Sequence, residues 1–99
     1  MGRRELILIE TLCIQYEVEA SFIKELHSIG LIEIEKIEND EFIHEETIGD
    51  LEKMIRLNRE LNVNIEGIDV VFNLLQKEIK MQEEIIALRN RLKFYEENK

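Results

Sequence analysis

The sequence predicts a mainly helical fold: two short helices joined by a tight turn, a small β-hairpin, a third helix, and a long C-terminal helix that ends in a short coiled coil. Three observations carry this. Apolar residues recur at helical spacing from Leu12 to Ile29, with an interruption at Glu17-Val18. The period then changes to two across Ile32, Ile34 and Ile37, ahead of a turn signal at Asn39-Asp40. Finally, Ile65 to Tyr95 runs without a proline, and its one glycine, Gly67, lies in the first turn.

Taken in order, Leu6-Ile7-Leu8-Ile9 is a short apolar run, read as a strand over Glu5–Ile9. Glu10 to Tyr16 reads as a helix with Leu12, Cys13 and Tyr16 on one face. A second helix, Glu19 to Ile29, buries Phe22, Ile23, Leu26 and Ile29, and Gly30 stands where a left-handed cap is expected. Two short helices about a tight turn make a helix-turn-helix. From Leu31 the alternation predicts one strand, with Glu41-Phe42-Ile43 returning as its partner. A hairpin placed after a helix-turn-helix is a wing.

A third helix is expected over Glu46–Leu61, with Ile48, Leu51, Met54, Ile55, Leu57 and Leu61 on its apolar face. Its start signals are Thr47 with Asp50, or Glu45 and Glu46 in the opening turn, and Gly49 weakens that turn. Asn62-Val63-Asn64 breaks it, and Asn64 can cap the final helix. As one helix, residues 65–95 would span roughly 45 Å at about 1.5 Å per residue, so part is expected to project beyond a core this small.

The final helix carries two apolar phases. Ile65, Ile68, Phe72, Leu75 and Ile79, widened by Val71 and Leu74, suit packing on the chain's own domain. Met81, Ile85, Leu88, Leu92 and Tyr95 form a narrower seam flanked by Glu83, Glu84, Arg89, Arg91 and Lys93. That seam reads as coiled coil and points to a homodimer. The alternative is a bent helix whose tail folds back onto the monomer.

The 99 residues are expected to form a single domain, with a winged portion over 5–61 and the long helix over 65–95. With 44% hydrophobic residues the core is modest, and a chain this short is helped by an oligomer interface. The formal charge of −9 disfavours nucleic acid and favours basic partners. No apolar run approaches a membrane span, and no segment has the layout of a signal peptide. Gly2 could accept a myristoyl group, but Leu6 stands where Ser or Thr is needed. A cytoplasmic protein is expected. The lone Cys13 cannot form an internal disulfide.

A resemblance sharpens the reading. Ile9-Glu10-Thr11-Leu12-Cys13 through Val18, then Phe22-Ile23-Lys24-Glu25-Leu26 and Gly30-Leu31-Ile32, resemble the amino-terminal helix-turn-helix of MerR-type regulators. The fold implied is a MerR-like winged helix-turn-helix. The stretch Leu51–Ile68, with Arg56-Leu57, Glu60-Leu61 and Gly67-Ile68, and the tail Leu88-Arg89-Asn90-Arg91-Leu92, are similar to the chaperone-modulator (CbpM-type) branch of that superfamily. The order and spacing of these pieces carry the resemblance, which covers nearly the whole chain. It implies a protein that binds the J-domain of a DnaJ-like co-chaperone and blocks its stimulation of Hsp70.

The residues bear on the alternative, a MerR-like DNA-binding regulator lacking an effector domain. The second helix offers Glu19, Ser21, Lys24, Glu25 and His27, of which only Lys24 suits a phosphate. The family's basic and tyrosine pattern is not kept there, and Glu17 stands where its turn glycine often lies. From Glu33 to Glu52 there are nine acids against one base, Lys36. Glu33, Glu35, Asp40, Glu41, Glu45 and Glu46 are therefore the candidate partner-binding surface, matched to the basic helix with which J-domains engage Hsp70. Taken singly, each is equally a solvated glutamate or aspartate that keeps the chain soluble.

No catalysis is expected, and no cofactor or metal. Cys13 lies on an apolar helix face, and His27 and His44 are isolated. There is no phosphate-binding glycine loop and no Ser-His-Asp arrangement to propose. Tyr16 and Tyr95 are assigned to packing.

Overall fold

A computed structural model describes residues 5–97. The order is β1 (Leu6–Leu8), α1 (Ile9–Tyr16), α2 (Ala20–Ser28), β2 (Glu35–Ile37), β3 (Asp40–His44), a 3-10 turn (Glu45–Thr47), α3 (Ile48–Leu61) and α4 (Ile65–Glu97). It is mainly helical with a small antiparallel sheet, as the sequence predicts. No helix among the described residues is long and apolar enough to cross a membrane. The chain divides after Asp69 into two compact units.

In the first unit, Leu12, Ile23, Leu26, Ile43, Leu51, Met54 and Ile68 are all but sealed from solvent, with Ile9, Ile32 and Ile55 beside them in the core. Each helix contributes apolar residues three or four apart, Ile9 with Leu12, Ile23 with Leu26, and Leu51 with Met54 and Ile55, so one stripe of each faces inward. Leu→Ala at a position such as Leu26 removes both transfer energy and packing, about 2–5 kcal/mol.

The backbone between helices is closed by hydrogen bonds. At the end of α1, Glu17 is left-handed (φ 55°), and the Val18 N–H donates to Cys13 O at 3.1 Å. After α2, Gly30 takes φ 87° as expected, which lets the Leu31 N–H reach Leu26 O at 3.0 Å. Asn62 (φ 56°) ends α3, the Val63 N–H returns to Leu57 O, and Asn58 Nδ2 holds Val63 O, both at 3.0 Å. Asn64 then caps α4: its Oδ1 accepts the Gly67 N–H at 2.8 Å.

The sheet order is β1-β3-β2. Leu6 pairs with His44 and Leu8 with Phe42, while Glu35 pairs with Phe42 and Ile37 with Asp40. The first strand therefore joins the hairpin as a third strand.

Several boundaries and faces differ from the sequence reading. Ile9 opens α1 instead of ending β1. The hairpin loop is Glu38-Asn39, one residue earlier than expected, with Glu38 left-handed at φ 57°. Residues 45–47 form the 3-10 turn, and Thr47 makes no side-chain cap bond to α3. Ile29 and Leu61 are exposed because both fall at a helix end, beyond the last buried turn.

In the second unit α4 continues unbroken to Glu97. Phe72 is buried, whereas Leu74, Leu75 and Ile79 are exposed, so the wide stripe expected to be buried is open to solvent from Leu74 onward.

Candidate functional site

The wing is built by alternation. In an antiparallel pair, opposed residues share a face. Ile43 is fully buried, so Ile43, its partner Ile7 and the pair Glu41–Lys36 belong to the core side of the sheet. Leu6, Leu8, Phe42, His44, Glu35, Ile37 and Asp40 share the other side.

This geometry separates the six candidate acids. Glu41 is half-buried on the core side, and its Oε1 lies 3.9 Å from Nζ of Lys24 on α2. Glu35 faces the other way, with Oε1 2.7 Å from Nε2 of His44. Asp40 lies on the Glu35 side at the hairpin tip and is exposed. Glu33 precedes β2 and is exposed. Glu45 and Glu46 sit on the 3-10 turn, both exposed, with the Glu45 N–H fixed on Glu5 O at 2.9 Å. The acids thus occupy two faces of the wing and the turn that follows it.

His44, read in the sequence as isolated, has a partner. Its Nδ1 is buried without a hydrogen-bond partner, and its Nε2 meets Glu35. The missed signal was the period itself, because His44 shares the alternation of Phe42, whose cross-strand partner is Glu35.

On the helix-turn-helix, the exposed side chains of α2 include Ser21, Lys24, Glu25, His27 and Ser28, with Glu19 just ahead of it. Lys24, the one cation suited to a phosphate, is the residue beside Glu41.

The basic turn of α3 is structural. Arg59 Nη2 donates to Tyr16 O at 3.0 Å and Glu17 O at 2.6 Å, tying α3 to the end of α1. Arg56 Nε lies 3.8 Å from Glu60 Oε1 one turn on. The Tyr16 hydroxyl donates to Glu52 Oε2 at 2.5 Å. That bond, then partial burial, then the charge of Glu52, hold the phenol above its ordinary range. Tyr16, Glu52, Lys53, Arg56 and Arg59 line an open groove over this junction.

Cys13 is half-buried, and burial followed by the nearby charge of Glu10 pushes its thiol up, which keeps it a poor nucleophile. Among the described residues no cluster of three His, Cys, Asp or Glu side chains could hold a metal ion.

In the second unit, Met81, Ile85, Leu88, Leu92 and Tyr95 are all exposed along one continuous helix. Charge differs sharply between the units. Residues 1–69 hold seventeen acidic and seven basic side chains, whereas residues 70–99 hold five and six.

A model of the family described as MerR HTH family regulatory protein matches residues 7–90. No curated protein and no solved structure matches the chain.

Proposed function

Because this chain belongs to the MerR HTH family of regulatory proteins, its winged unit has the architecture of a DNA reader, and we propose that here it serves a basic protein surface instead. The reading is a non-catalytic chaperone modulator that binds the J-domain of a DnaJ-like co-chaperone and inhibits its stimulation of Hsp70. The similarity of Leu51–Ile68 and Leu88–Leu92 to that branch supports this choice of partner.

The observation that carries the proposal is the charge on the would-be DNA face. The wing and the segments that flank it present Glu33, Glu35, Asp40, Glu45 and Glu46, and the one helpful cation of α2, Lys24, lies beside Glu41. A duplex would meet that charge at every approach, whereas a basic helix is drawn to it. Of the six acids, Glu33, Asp40, Glu45 and Glu46 are the contacts proposed, since Glu41 and Glu35 are engaged with Lys24 and His44. Two copies associate through Met81, Ile85, Leu88, Leu92 and Tyr95, whose exposure on a single helix gives a seam a reason to close.

Titration calorimetry against the isolated J-domain of the cognate co-chaperone, at low and high salt, tests the reading. Binding that weakens with salt, and weakens further with Glu45→Lys and Glu46→Lys, is expected. No heat at either salt removes it.

The second reading is a DNA-binding transcriptional regulator, favoured by the family match itself. A mobility-shift assay at low salt on fragments that include the gene's own upstream region decides it, and a specific shift there would displace the chaperone reading.

A further inference from the structure

The small sheet is apolar on both of its faces. An antiparallel sheet with one face in water commonly alternates apolar and polar residues along each strand. Here the core side carries Ile7 and Ile43, and Ile43 is sealed, as an inner face requires. The outer side nonetheless carries Leu6 and Leu8 on β1, Phe42 on β3 and Ile37 on β2. Leu6, Leu8 and Phe42 keep part of their surface in solvent, and Ile37 is 44% exposed. The register makes a patch of them: Leu8 lies directly across from Phe42, and Leu6 is two residues back on the same strand.

The carboxylates around this patch lie to one side of it. Glu35 faces Phe42 from β2, with its carboxylate on His44, and Asp40 stands opposite Ile37 at the hairpin tip. Glu33 leads into β2, and Glu45 and Glu46 follow β3 on the 3-10 turn. The one lysine of the hairpin, Lys36, pairs with Glu41 on the core side. The outer face is therefore an apolar strip over β1 and β3, bordered by acids.

We infer that this outer face is where the basic partner docks, with Leu6, Leu8 and Phe42 as the apolar seat under it. The inference rests on the reading that the wing serves a basic protein, and it adds the contact that fixes position. The occupant is an amphipathic helix whose apolar stripe lies over β1 and β3 and whose lysines and arginines flank it toward β2 and the 3-10 turn. Charge selects this occupant. A nucleic acid or an anionic lipid surface would meet the acids at every approach. A second copy of the same face would set Glu35 and Asp40 against acids of their own kind. An apolar centre within a polar rim is the usual anatomy of a protein interface, in which the rim steers encounter and the centre holds the complex.

Calorimetry of the full chain against the isolated J-domain of the cognate co-chaperone, at low and high salt, separates the two contributions, because salt screens charge and leaves apolar burial in place. The wild-type chain should keep measurable binding at high salt, with a negative heat-capacity change. Phe42→Thr and Leu6→Thr place a β-branched residue at half-buried strand positions. Each should weaken binding by about tenfold or more at both salts, whereas Glu45→Lys with Glu46→Lys should weaken it chiefly at low salt. Circular dichroism checks that the variants fold. Where one does not, the methyl resonances of Leu6 and Leu8 in the labelled wild-type chain decide, and they should shift on binding. Binding by the wild type that neither folded variant changes, or that leaves those methyl resonances in place, overturns the inference and leaves the chaperone reading standing. No binding by the wild type at either salt overturns both.

Discussion

Gly67→Ala sets helix propensity against space, and the structure says which wins. Gly67 lies in the first turn of α4, where alanine is the better helix former by about 0.8–1.0 kcal/mol. Yet a Cβ at this position would lie 2.6 Å from Val63 Cγ1 and 3.1 Å from Asn64 Oδ1. Carbon atoms rest at about 3.5–4.0 Å, so the methyl is roughly an ångström too close to a β-branched side chain with little rotamer freedom. Either Val63 shifts, at the cost of overpacking, about 1–3 kcal/mol, or Asn64 gives way. The second route breaks the 2.8 Å bond to the Gly67 N–H and forfeits a cap that contributes about 1 kcal/mol. Set against the propensity gain, the expected net is a destabilisation of up to about 2 kcal/mol, with Tm falling by about 4–8 °C for each kcal/mol. Thermal unfolding by circular dichroism measures it, at one protein concentration because self-association raises Tm by mass action. Val63→Ala removes the obstructing methyl, so Gly67→Ala added to Val63→Ala should stabilise relative to Val63→Ala alone. A rise in Tm for Gly67→Ala in the otherwise wild-type chain would refute the reasoning.

Glu17→Gly should raise stability by about 1 kcal/mol, since a left-handed conformation costs a side-chain-bearing residue that much and the backbone oxygen that meets Arg59 is kept; urea unfolding checks it, and a lower midpoint counts against the assignment. The Tyr16 phenol has its folded-state pKa raised, so the stability it contributes is fully present below the unfolded value near ~10 and is lost as pH rises through the folded value. Absorbance titration of tyrosinate in a Tyr95→Phe chain should show Tyr16 ionising late, and Tyr16→Phe should abolish that alkaline loss of stability. Leu88→Glu with Leu92→Glu should give a folded monomer, because charges placed in an apolar seam are costly to desolvate; helical circular dichroism with a monomer mass in sedimentation is the expected pair of results.

Much of the fold was legible because its signals are local. The left-handed position of Gly30, the break at Asn62-Val63-Asn64 and the cap from Asn64 depend on residue types within one turn of each other. What escaped depends on distant residues. Three apolar residues at 6–8 announce a strand, but nothing in them says that the partner is 42–44. Only the packing of α3 beside the end of α1 gives Arg59 the carbonyls of Tyr16 and Glu17. The acids were legible as a group and not as a surface. Alternation puts Glu41 and Ile43 on one side, but that this side faces the core follows from the burial of Ile43, which no count of residues supplies.

The third strand also sets an order in time. Glu35–Ile37 and Asp40–His44 are joined by two residues and can zip locally, whereas Leu6–Leu8 must wait for a partner more than thirty residues downstream. Closing that longer loop carries a larger entropic toll and belongs to the slower class of contacts. During synthesis both short helices leave the ribosome before the strand that completes the sheet, so the helix-turn-helix is held between a strand already made and one still to come. Its final packing therefore depends on the last strand of the wing, and lesions in β3 should slow the folding of helices that precede it in the chain.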